Sequence, residues 1–217
     1  MEILHEDNSV IVCIKPQGVL SQADKNGGES MITRLETYTG GEIFPVHRLD
    51  KETGGVMVYA KTSSAAAALS RDISEHRFNK EYLAMAHGIP ERKSDALCDL
   101  LFHDRAKNKS YVVKRERKGV KKAELCYTLL DTAEINGEQY SLLRVKLYTG
   151  RTHQIRVQLA HRKMPLAGDK KYGAQDGFSL LGLWAYKLDF INPETHKNTE
   201  FTALPQNYIS DFFKTFE

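Results

Sequence analysis

Unbroken apolar runs, each closed by a turn signal, predict buried β-strands along much of the chain. Residues 9–18 read SVIVCIKPQG and end on a proline and a glycine, residues that stop a strand. Residues 54–62 (GGVMVYAKT) and 80–88 (KEYLAMAHG) have the same apolar character. These three segments therefore predict three strands of a buried sheet.

The second half of the chain predicts further strands. Asn136-Gly137 favours a tight hairpin turn between two apolar segments. After the turn, Leu143 and Val145 alternate with Arg144, so one strand face is expected in the core and the other in solvent. Two more strands are predicted at 183–191 and 200–204, joined by the turn-rich sequence NPETHKN.

Four segments show helical periodicity. In the first, the apolar residues Met31, Leu35 and Tyr38 recur at helical spacing before Gly40, a glycine suited to the C-cap. The second, SSAAAALSRDISEHRF, is rich in alanine and is expected to start at a serine N-cap, Ser63 or Ser64. The other two are RTHQIRVQLAHRKM at 151–164 and YISDFFKTF at 208–216.

Strands outnumber helices and mostly follow one another through short turns. This pattern favours an α+β fold, with a large mixed, mainly antiparallel sheet flanked by helices and loops, over a doubly wound α/β fold. The 217 residues contain no linker, repeat or low-complexity tract, so a single domain over residues 1–217 is expected.

Composition restricts the function classes. The chain has no run of about 18 apolar residues and its N-terminus lacks the basic and apolar regions of a signal peptide, so no membrane association is expected. Cys13, Cys98 and Cys126 lie far apart in or near apolar runs, which predicts buried free thiols in a reducing cytoplasm. Neither CxxC nor HExxH spacing occurs, so no metal site is expected.

Positive charge is concentrated more than the net charge of +3 indicates. The stretch KRERKGVKK holds six cations and one anion. It is either a solvated hairpin loop or a loop that contacts nucleic-acid phosphates, because clustered Lys and Arg supply most non-specific affinity for nucleic acids. The cations are Lys114, Arg115, Arg117, Lys118, Lys121 and Lys122.

Asp50 belongs to a polar cluster, His47-Arg48-Leu49-Asp50, beside a predicted core strand. An aspartate next to Arg48, or facing Arg156, would stay ionised and would suit a nucleophile or an electrostatic stabiliser rather than a general acid. The alternative is an aspartate that caps the following turn, KETGG. Local chemistry alone favours the turn.

Two further clusters carry chemically useful side chains. In TGRTHQIR a strand turns into a helix whose N-terminus, with Arg151 and His153, could hold a phosphate, and Arg156 follows one turn later. The alternative is an amphipathic helix with a solvated polar face. Tyr82 follows Lys80 in a predicted strand and is either a core residue or a ring that stacks on a base.

Taken in order, these clusters resemble the RluA-type pseudouridine synthases. The matching stretches are KPQG (15–18), HRLD (47–50), the lysine-x-tyrosine at 80–82, GRTHQIR (150–156) and PLAGDKKYG (165–173). One short motif is weak support, but five in order over nearly the whole chain are highly specific.

The resemblance implies the pseudouridine synthase fold and an enzyme that isomerises specific uridines in ribosomal RNA, transfer RNA or both. Asp50 matches the catalytic aspartate, Arg156 the arginine that pairs with it, and Tyr82 the tyrosine that packs on the uracil. Arg48 matches a residue associated with filling the gap left by the flipped nucleotide. Substrate contacts are also expected from His47, Lys80, Arg151 and His153. The isomerisation needs no cofactor, metal or ATP.

Two positions depart from the family pattern. Thr53-Gly54-Gly55 stands where Thr-Ser-Gly is usual, which removes a hydroxyl that could rigidify this turn. Gln158 stands where a histidine is frequent. Because the chain starts almost directly at the catalytic motifs, it resembles the short members, and no S4 RNA-binding domain is expected.

Two alternatives compete with an active synthase. One is a catalytically inactive RNA-binding module of the same fold, which the presence of Asp50, Tyr82 and Arg156 disfavours. The other is an unrelated hydrolase using His47 and Asp50, which lacks a GxSxG elbow or a set of metal ligands. The expected protein is therefore a cytoplasmic monomer whose partner is RNA.

Overall fold

The computed structural model describes residues 1–23, 28–213 and 215. These residues contain eleven strands, four α-helices and a 3-10 turn at Lys170–Tyr172. The predicted α+β class with a large, mainly antiparallel sheet is confirmed. The strands are β1 (Glu2–Glu6), β2 (Val10–Lys15), β3 (Phe44–Pro45), β4 (Gly54–Ala60), β5 (Asn79–His87), β6 (Ser94–Asp104), β7 (Lys109–Val113), β8 (Val120–Ile135), β9 (Glu138–Leu147), β10 (Leu183–Ile191) and β11 (Asn198–Thr202). The helices are α1 (Met31–Thr39), α2 (Ser63–Ser74), α3 (Gln154–His161) and α4 (Ile209–Phe212).

The described residues form two compact units, each drawn from two separated parts of the chain. The first comprises 1–80 and 185–204, and the second comprises the described residues of 81–184 and 205–217. Neither unit is contiguous in sequence, so composition shifts along the chain could not reveal them. The single domain over 1–217 stays a prediction, and part of the predicted C-terminal helix lies outside the described residues.

The first unit is built on the strand order β1-β2-β4-β10, with β3 beside β4 and β11 beside β10. Strands β2 and β4 pair antiparallel and are buried along their whole lengths, as their unbroken apolar runs predict. Helix α2 contributes Ala65 and Leu69 to the same core as Val58 and Phe190. The core therefore begins directly behind the strand that follows the HRLD motif.

The caps of the two helices in the first unit are partly as predicted. Gly40 ends α1 in the left-handed conformation, with φ of 70°. Tyr38 is 57% exposed and leaves the buried stripe that Met31 and Leu35 form. Helix α2 is capped by Thr62, whose hydroxyl accepts a hydrogen bond from the N–H of Ala65, so the predicted serine caps are wrong by one or two residues.

The second unit has the strand order β5-β9-β8-β6-β7, with every neighbouring pair antiparallel. The predicted hairpin between β8 and β9 is confirmed, because Asn136 and Gly137 have φ of 52° and 81°. Helix α3 packs on one face of this sheet, where Val157 joins Leu101 and Ala123.

The connection between β7 and β8 is not a hairpin loop, which was one of the two interpretations of the basic stretch. Strand β6 lies between β7 and β8, so residues 114–119 pass over β6 instead of closing a hairpin. The Arg117 guanidinium lies 4.9 Å from the centre of the Phe102 ring on β6, which fixes this passage. Lys121 and Lys122 belong to β8 itself.

Two of the three thiols differ from the expected burial. Cys13 is buried, and burial raises the pKa of its thiol to about 12. Cys98 is exposed and Cys126 is half-buried, since both lie on the sheet face that α3 does not cover. No helix of the described residues is long and apolar enough to cross a membrane.

Candidate active site

The HRLD motif forms the loop between β3 and β4 in the first unit, and Leu49 anchors it. Leu49 is buried, and its N–H donates to the Ser21 hydroxyl at 3.0 Å while its carbonyl accepts from the same hydroxyl at 2.8 Å. Arg48 is exposed and Asp50 is half-buried. The loop therefore presents two charged side chains on either side of a buried leucine.

Asp50 also begins the turn that the sequence predicts. Its carbonyl accepts a hydrogen bond from the N–H of Thr53 at 3.0 Å, which closes a turn over Lys51 and Glu52. The turn and the catalytic interpretations are thus compatible, because the backbone of Asp50 forms the turn and leaves its side chain for other contacts.

Lys15, from the KPQG motif, fixes the far side of this turn. It is fully buried at the end of β2, and its Nζ donates to the carbonyls of Pro16 at 3.0 Å, Val19 at 2.6 Å and Lys51 at 3.2 Å. Burial lowers the pKa of Lys15 to about 8, against the opposing attraction of Glu52 and Asp50. Lys15 therefore ties the residue that follows Asp50 to the β2 end of the sheet.

His47 has contacts that hold the loop on β4. Its Nε2 accepts a hydrogen bond from the N–H of Val58 at 3.2 Å, which requires a neutral ring with the proton on Nδ1. Its ring centre lies 5.3 Å from that of Phe78. Burial lowers the pKa of His47 well below its ordinary value, and Lys80 lowers it further. These contacts give His47 a structural role, and its expected substrate contact stays a prediction.

Lys80 lies at the start of β5, with its Nζ 5.5 Å from the centre of the Phe78 ring. Burial lowers the pKa of this ammonium group. In the first unit, Phe78 thus brings His47 and Lys80 onto one aromatic ring.

In the second unit Arg156 is held by a partner that sequence interpretation left without a role. Its Nε donates to Asp169 Oδ2 at 2.7 Å and its Nη2 to Asp169 Oδ1 at 2.8 Å, a bidentate pair. The two side chains are 5% and 0% exposed. Asp169 comes from PLAGDKKYG, so this motif supplies the residue that orients the arginine.

Tyr172, from the same motif, completes the surroundings of Arg156. The Arg156 guanidinium lies 5.3 Å from the centre of its ring, and the Tyr172 hydroxyl lies 3.0 Å from His153 Nδ1. The same hydroxyl accepts from the N–H of Ser110 at 2.8 Å. His153 is buried and takes a left-handed conformation with φ of 54° at the N-cap of α3. The structure therefore brings Arg156 and His153 together around one tyrosine.

Helix α3 is not the amphipathic surface helix that the sequence allowed, because its polar residues Gln154, Arg156 and Gln158 are buried. Gln154 Nε2 donates to the carbonyl of Glu124 at 3.0 Å, and Gln158 Nε2 donates to Asp99 at 2.7 Å. The side-chain oxygen of Gln154 accepts from the N–H of Arg151 at 2.9 Å. The N-terminus expected to hold a phosphate is thus closed in part by its own glutamine.

The remaining predicted residues of the second unit lie on two strands and their loops. Tyr82 is buried on β5, opposite Val145 of β9. Arg151 Nε donates to the carbonyl of Lys122 at 2.9 Å, which joins the start of α3 to the basic stretch. All six predicted phosphate-binding cations of that stretch are exposed.

Sequence interpretation missed the roles of Lys15 and Asp169, although both stand in recognised motifs. The available signal was a charged residue beside an unbroken apolar run in one case and a conspicuous Gly-Asp pair in the other. Neither signal names the partner, because Lys51 and Arg156 come from other parts of the chain.

Comparisons with known proteins identify relatives of this chain. Residues 9–161 match the family model for RNA pseudouridylate synthase. The chain is 34% identical to the ribosomal large subunit pseudouridine synthase D of Borreliella burgdorferi, over 99% of this chain and 69% of that protein. It is 30% identical to the tRNA pseudouridine synthase C of Haemophilus ducreyi, over 100% of this chain and 96% of that protein. The solved structure of human RNA pseudouridylate synthase domain containing 1 shares the fold, with a TM-score of 0.80 and 22% identity over 94% of this chain and 83% of that chain.

Proposed function

Because the chain belongs to the RNA pseudouridylate synthase family, we propose that it converts specific uridines of ribosomal RNA, transfer RNA or both to pseudouridine, with Asp50 as the catalytic carboxylate. The observation that carries this proposal is the fixed backbone on both sides of Asp50. Leu49 is buried and hydrogen-bonded to Ser21, and the carbonyl of Lys51 accepts from Lys15. A carboxylate held in this way is preorganised for attack on a bound nucleotide.

The reaction exchanges one bond for another within a single nucleotide. The N1–C1′ bond breaks, the uracil turns, and a C5–C1′ bond forms while the C5 proton leaves and N1 gains a proton. Asp50 would attack ribose C1′ or uracil C6, or promote the cleavage that gives a glycal. Since no atom is added or removed overall, the chemistry needs no co-substrate.

The remaining catalytic roles follow the family pattern. Arg156, oriented by Asp169, would keep the catalytic aspartate charged, and Tyr82 would pack on the uracil and assist loss of the C5 proton. Arg48, exposed on the HRLD loop, would fill the gap left by the extruded nucleotide. Substrate contacts are assigned to His47, Lys80, Arg151 and His153.

Recognition of the RNA outside the target nucleotide is assigned to the basic stretch. Its six exposed cations would contact phosphates, and the hydrogen bond from Arg151 to the carbonyl of Lys122 supports this role. The protein is proposed to act as a monomer in the cytoplasm.

Release of tritium from RNA labelled at uridine C5 tests the proposal, because pseudouridine formation expels that hydrogen. We expect Asp50→Asn to bind RNA within about twofold of the native affinity and to release tritium only at background level. Glu52→Gln, which removes a carboxylate from the same turn, is the matched control and should retain turnover.

Retained turnover in Asp50→Asn would remove Asp50 from its assigned role. A native protein that binds RNA but makes no pseudouridine in ribosomal or transfer RNA would instead support the alternative, an inactive RNA-binding module. The basic stretch is equally compatible with that alternative, so the turnover assay is the decisive measurement.

A further inference from the structure

The outer strands of the second unit have one covered and one open face. On β6 and β8, Leu97, Leu101 and Leu125 are at most 3% exposed, on the face where α3 packs. The alternate residues Ala96 and Cys98 are exposed. Side chains that alternate in this way belong to a sheet with one face that no helix covers, and residues 114–119 cross that face beside Phe102.

Aromatic rings on the open face lie next to cations. Phe102 of β6 and Tyr111 of β7 are direct neighbours across the two strands. The Arg117 guanidinium lies 4.9 Å from the centre of the Phe102 ring, and Lys109 Nζ lies 5.9 Å from that of Tyr111. Rings on which bases can stack, next to cations that can pair with phosphates, are typical of single-stranded nucleic-acid binding.

These residues continue around the edge of the sheet toward Arg156. Strand β7 is the last in the order, and Lys109 Nζ also lies 5.2 Å from the centre of the Tyr172 ring. Tyr172 in turn contacts Arg156 on the covered side. Within the second unit, Lys109 thus stands between the open face and the surroundings of Arg156.

The positive charge of residues 105–122 indicates which kind of partner this surface binds. Residues 105–122 hold nine cations and one anion, which extends the basic stretch toward the N-terminus by three cations. A polyanion complements this surface, whereas a second copy of the chain would place like charges opposite one another. The cations are Arg105, Lys107, Lys109, Lys114, Arg115, Arg117, Lys118, Lys121 and Lys122.

We propose that Phe102, Lys109, Tyr111 and Arg117, here called the β7 surface, bind a single-stranded segment of RNA that flanks the modified uridine. This assignment rests on the proposed function. It extends that function, because the loop contacts to phosphates are joined by stacking of bases on an open sheet face. The RNA would pass around the β7 edge from the surroundings of Arg156 to Tyr111.

Substitution of Tyr111 tests the stacking. We expect Tyr111→Leu to weaken binding to bulk transfer RNA or bulk ribosomal RNA about tenfold, the effect of losing one base–aromatic stack, as measured by fluorescence anisotropy. Tyr111→Phe keeps the ring and should bind within about twofold of the native protein. Equal affinity of both variants and the native protein would overturn the stacking.

Salt dependence tests the pairing of cations with phosphates. The double substitution Lys109→Gln, Arg117→Gln should reduce the slope of log affinity against log salt by about 0.7 for each phosphate that is no longer neutralised. Lys197→Gln, which removes one exposed cation at a turn of the first unit, is the control and should leave the slope unchanged. An unchanged slope in the double variant would contradict the assignment.

Two further outcomes separate the possible explanations. Sedimentation that shows a dimer dissociated by Tyr111→Leu would overturn RNA as the occupant in favour of a second copy. A native protein that makes no pseudouridine, yet loses RNA affinity in Tyr111→Leu, would refute the proposed function and leave the β7 surface as an RNA site. Melting temperatures measured by circular dichroism establish that each variant is folded.

Discussion

At the scale of single residues, the most informative contact is the buried pair of Arg156 and Asp169. The sequence identified both motifs but not their pairing, since residues 13 positions apart give no periodic signal once a helix ends between them. A buried charge without a partner of opposite charge strongly lowers the stability of the fold, so each of these two side chains requires the other. Asp169 is therefore a positioning residue for Arg156.

Substitution at this pair separates stability from positioning. We expect Asp169→Asn to lower the free energy of unfolding by about 3 kcal/mol and to reduce tritium release at least tenfold, because Arg156 loses its buried counter-charge. The double substitution Arg156→Met, Asp169→Leu should regain much of that stability, measured by urea denaturation, without regaining turnover. A double variant with native turnover would show that neither residue matters for catalysis.

The lowered pKa of Lys15 predicts the direction in which the stability of the protein changes with pH. Its folded-state pKa is about 8, below the ordinary 10.5, so the unfolded chain binds more protons than the folded protein between these values. The free energy of unfolding should therefore rise by about 1 kcal/mol between pH 7.5 and pH 9 because of this group.

Denaturation at several pH values, compared between the native protein and Lys15→Met, isolates this contribution. The variant lacks the titrating amine, so the rise should disappear from it whatever its absolute stability. Cys13 acts in the opposite direction above about pH 9, since its folded-state pKa is raised to about 12, and the range is chosen to end there. Parallel pH curves for the two proteins would contradict the assigned pKa.

At the scale of elements, the sequence predicts strands better than it predicts what covers them. Unbroken apolar runs were sufficient for β2 and β4, because a strand buried on both faces needs no partner-specific information. Helix α3 was found from its periodicity, but the burial of Gln154 and Gln158 was not, because the hydrogen-bond acceptors of their side-chain N–H groups, Glu124 and Asp99, come from distant strands. The passage of residues 114–119 over β6 was not predicted either, because it also depends on which distant strands are neighbours in the sheet.

The glycine that controls the entry to β4 is Gly55, next to the Gly54 at which the chain departs from its family. A Cβ on Gly55 would lie 2.2 Å from the carbonyl oxygen of Ala185, and its φ of 120° suits glycine alone. We expect Gly55→Ala to lower the free energy of unfolding by about 3 kcal/mol, measured by urea denaturation.

Gly41→Ala is the matched control for this substitution. Nothing lies within 4 Å of a Cβ at Gly41, so its change should be below about 1 kcal/mol. Equal effects at the two positions would show that β4 and β10 separate easily to admit a methyl group, and that the turn after Asp50 is less constrained than its backbone contacts indicate.

At the scale of the whole molecule, the residues assigned to catalysis come from both units. Arg48 and Asp50 belong to the first, whereas Tyr82 and Arg156 belong to the second. The order of motifs along the chain revealed the family but could not reveal this division, because the first unit takes its strands from both ends of the sequence. The proposal thus assigns catalytic roles to residues of both units.

Mapping of pseudouridines in cellular RNA identifies the RNA that the protein modifies. Similarity to a ribosomal and to a transfer RNA enzyme is nearly equal, so sequence does not separate the two substrates.

Deletion of the gene should abolish pseudouridine at one or a few positions, detected by carbodiimide-blocked primer extension. A copy encoding the native chain should restore those positions and Asp50→Asn should not, because the proposal assigns the carboxylate to bond exchange rather than to binding. Recovery with Asp50→Asn would place the chemistry elsewhere in the protein. If no position vanishes, and the purified protein also makes no pseudouridine in either RNA class, the synthase assignment fails.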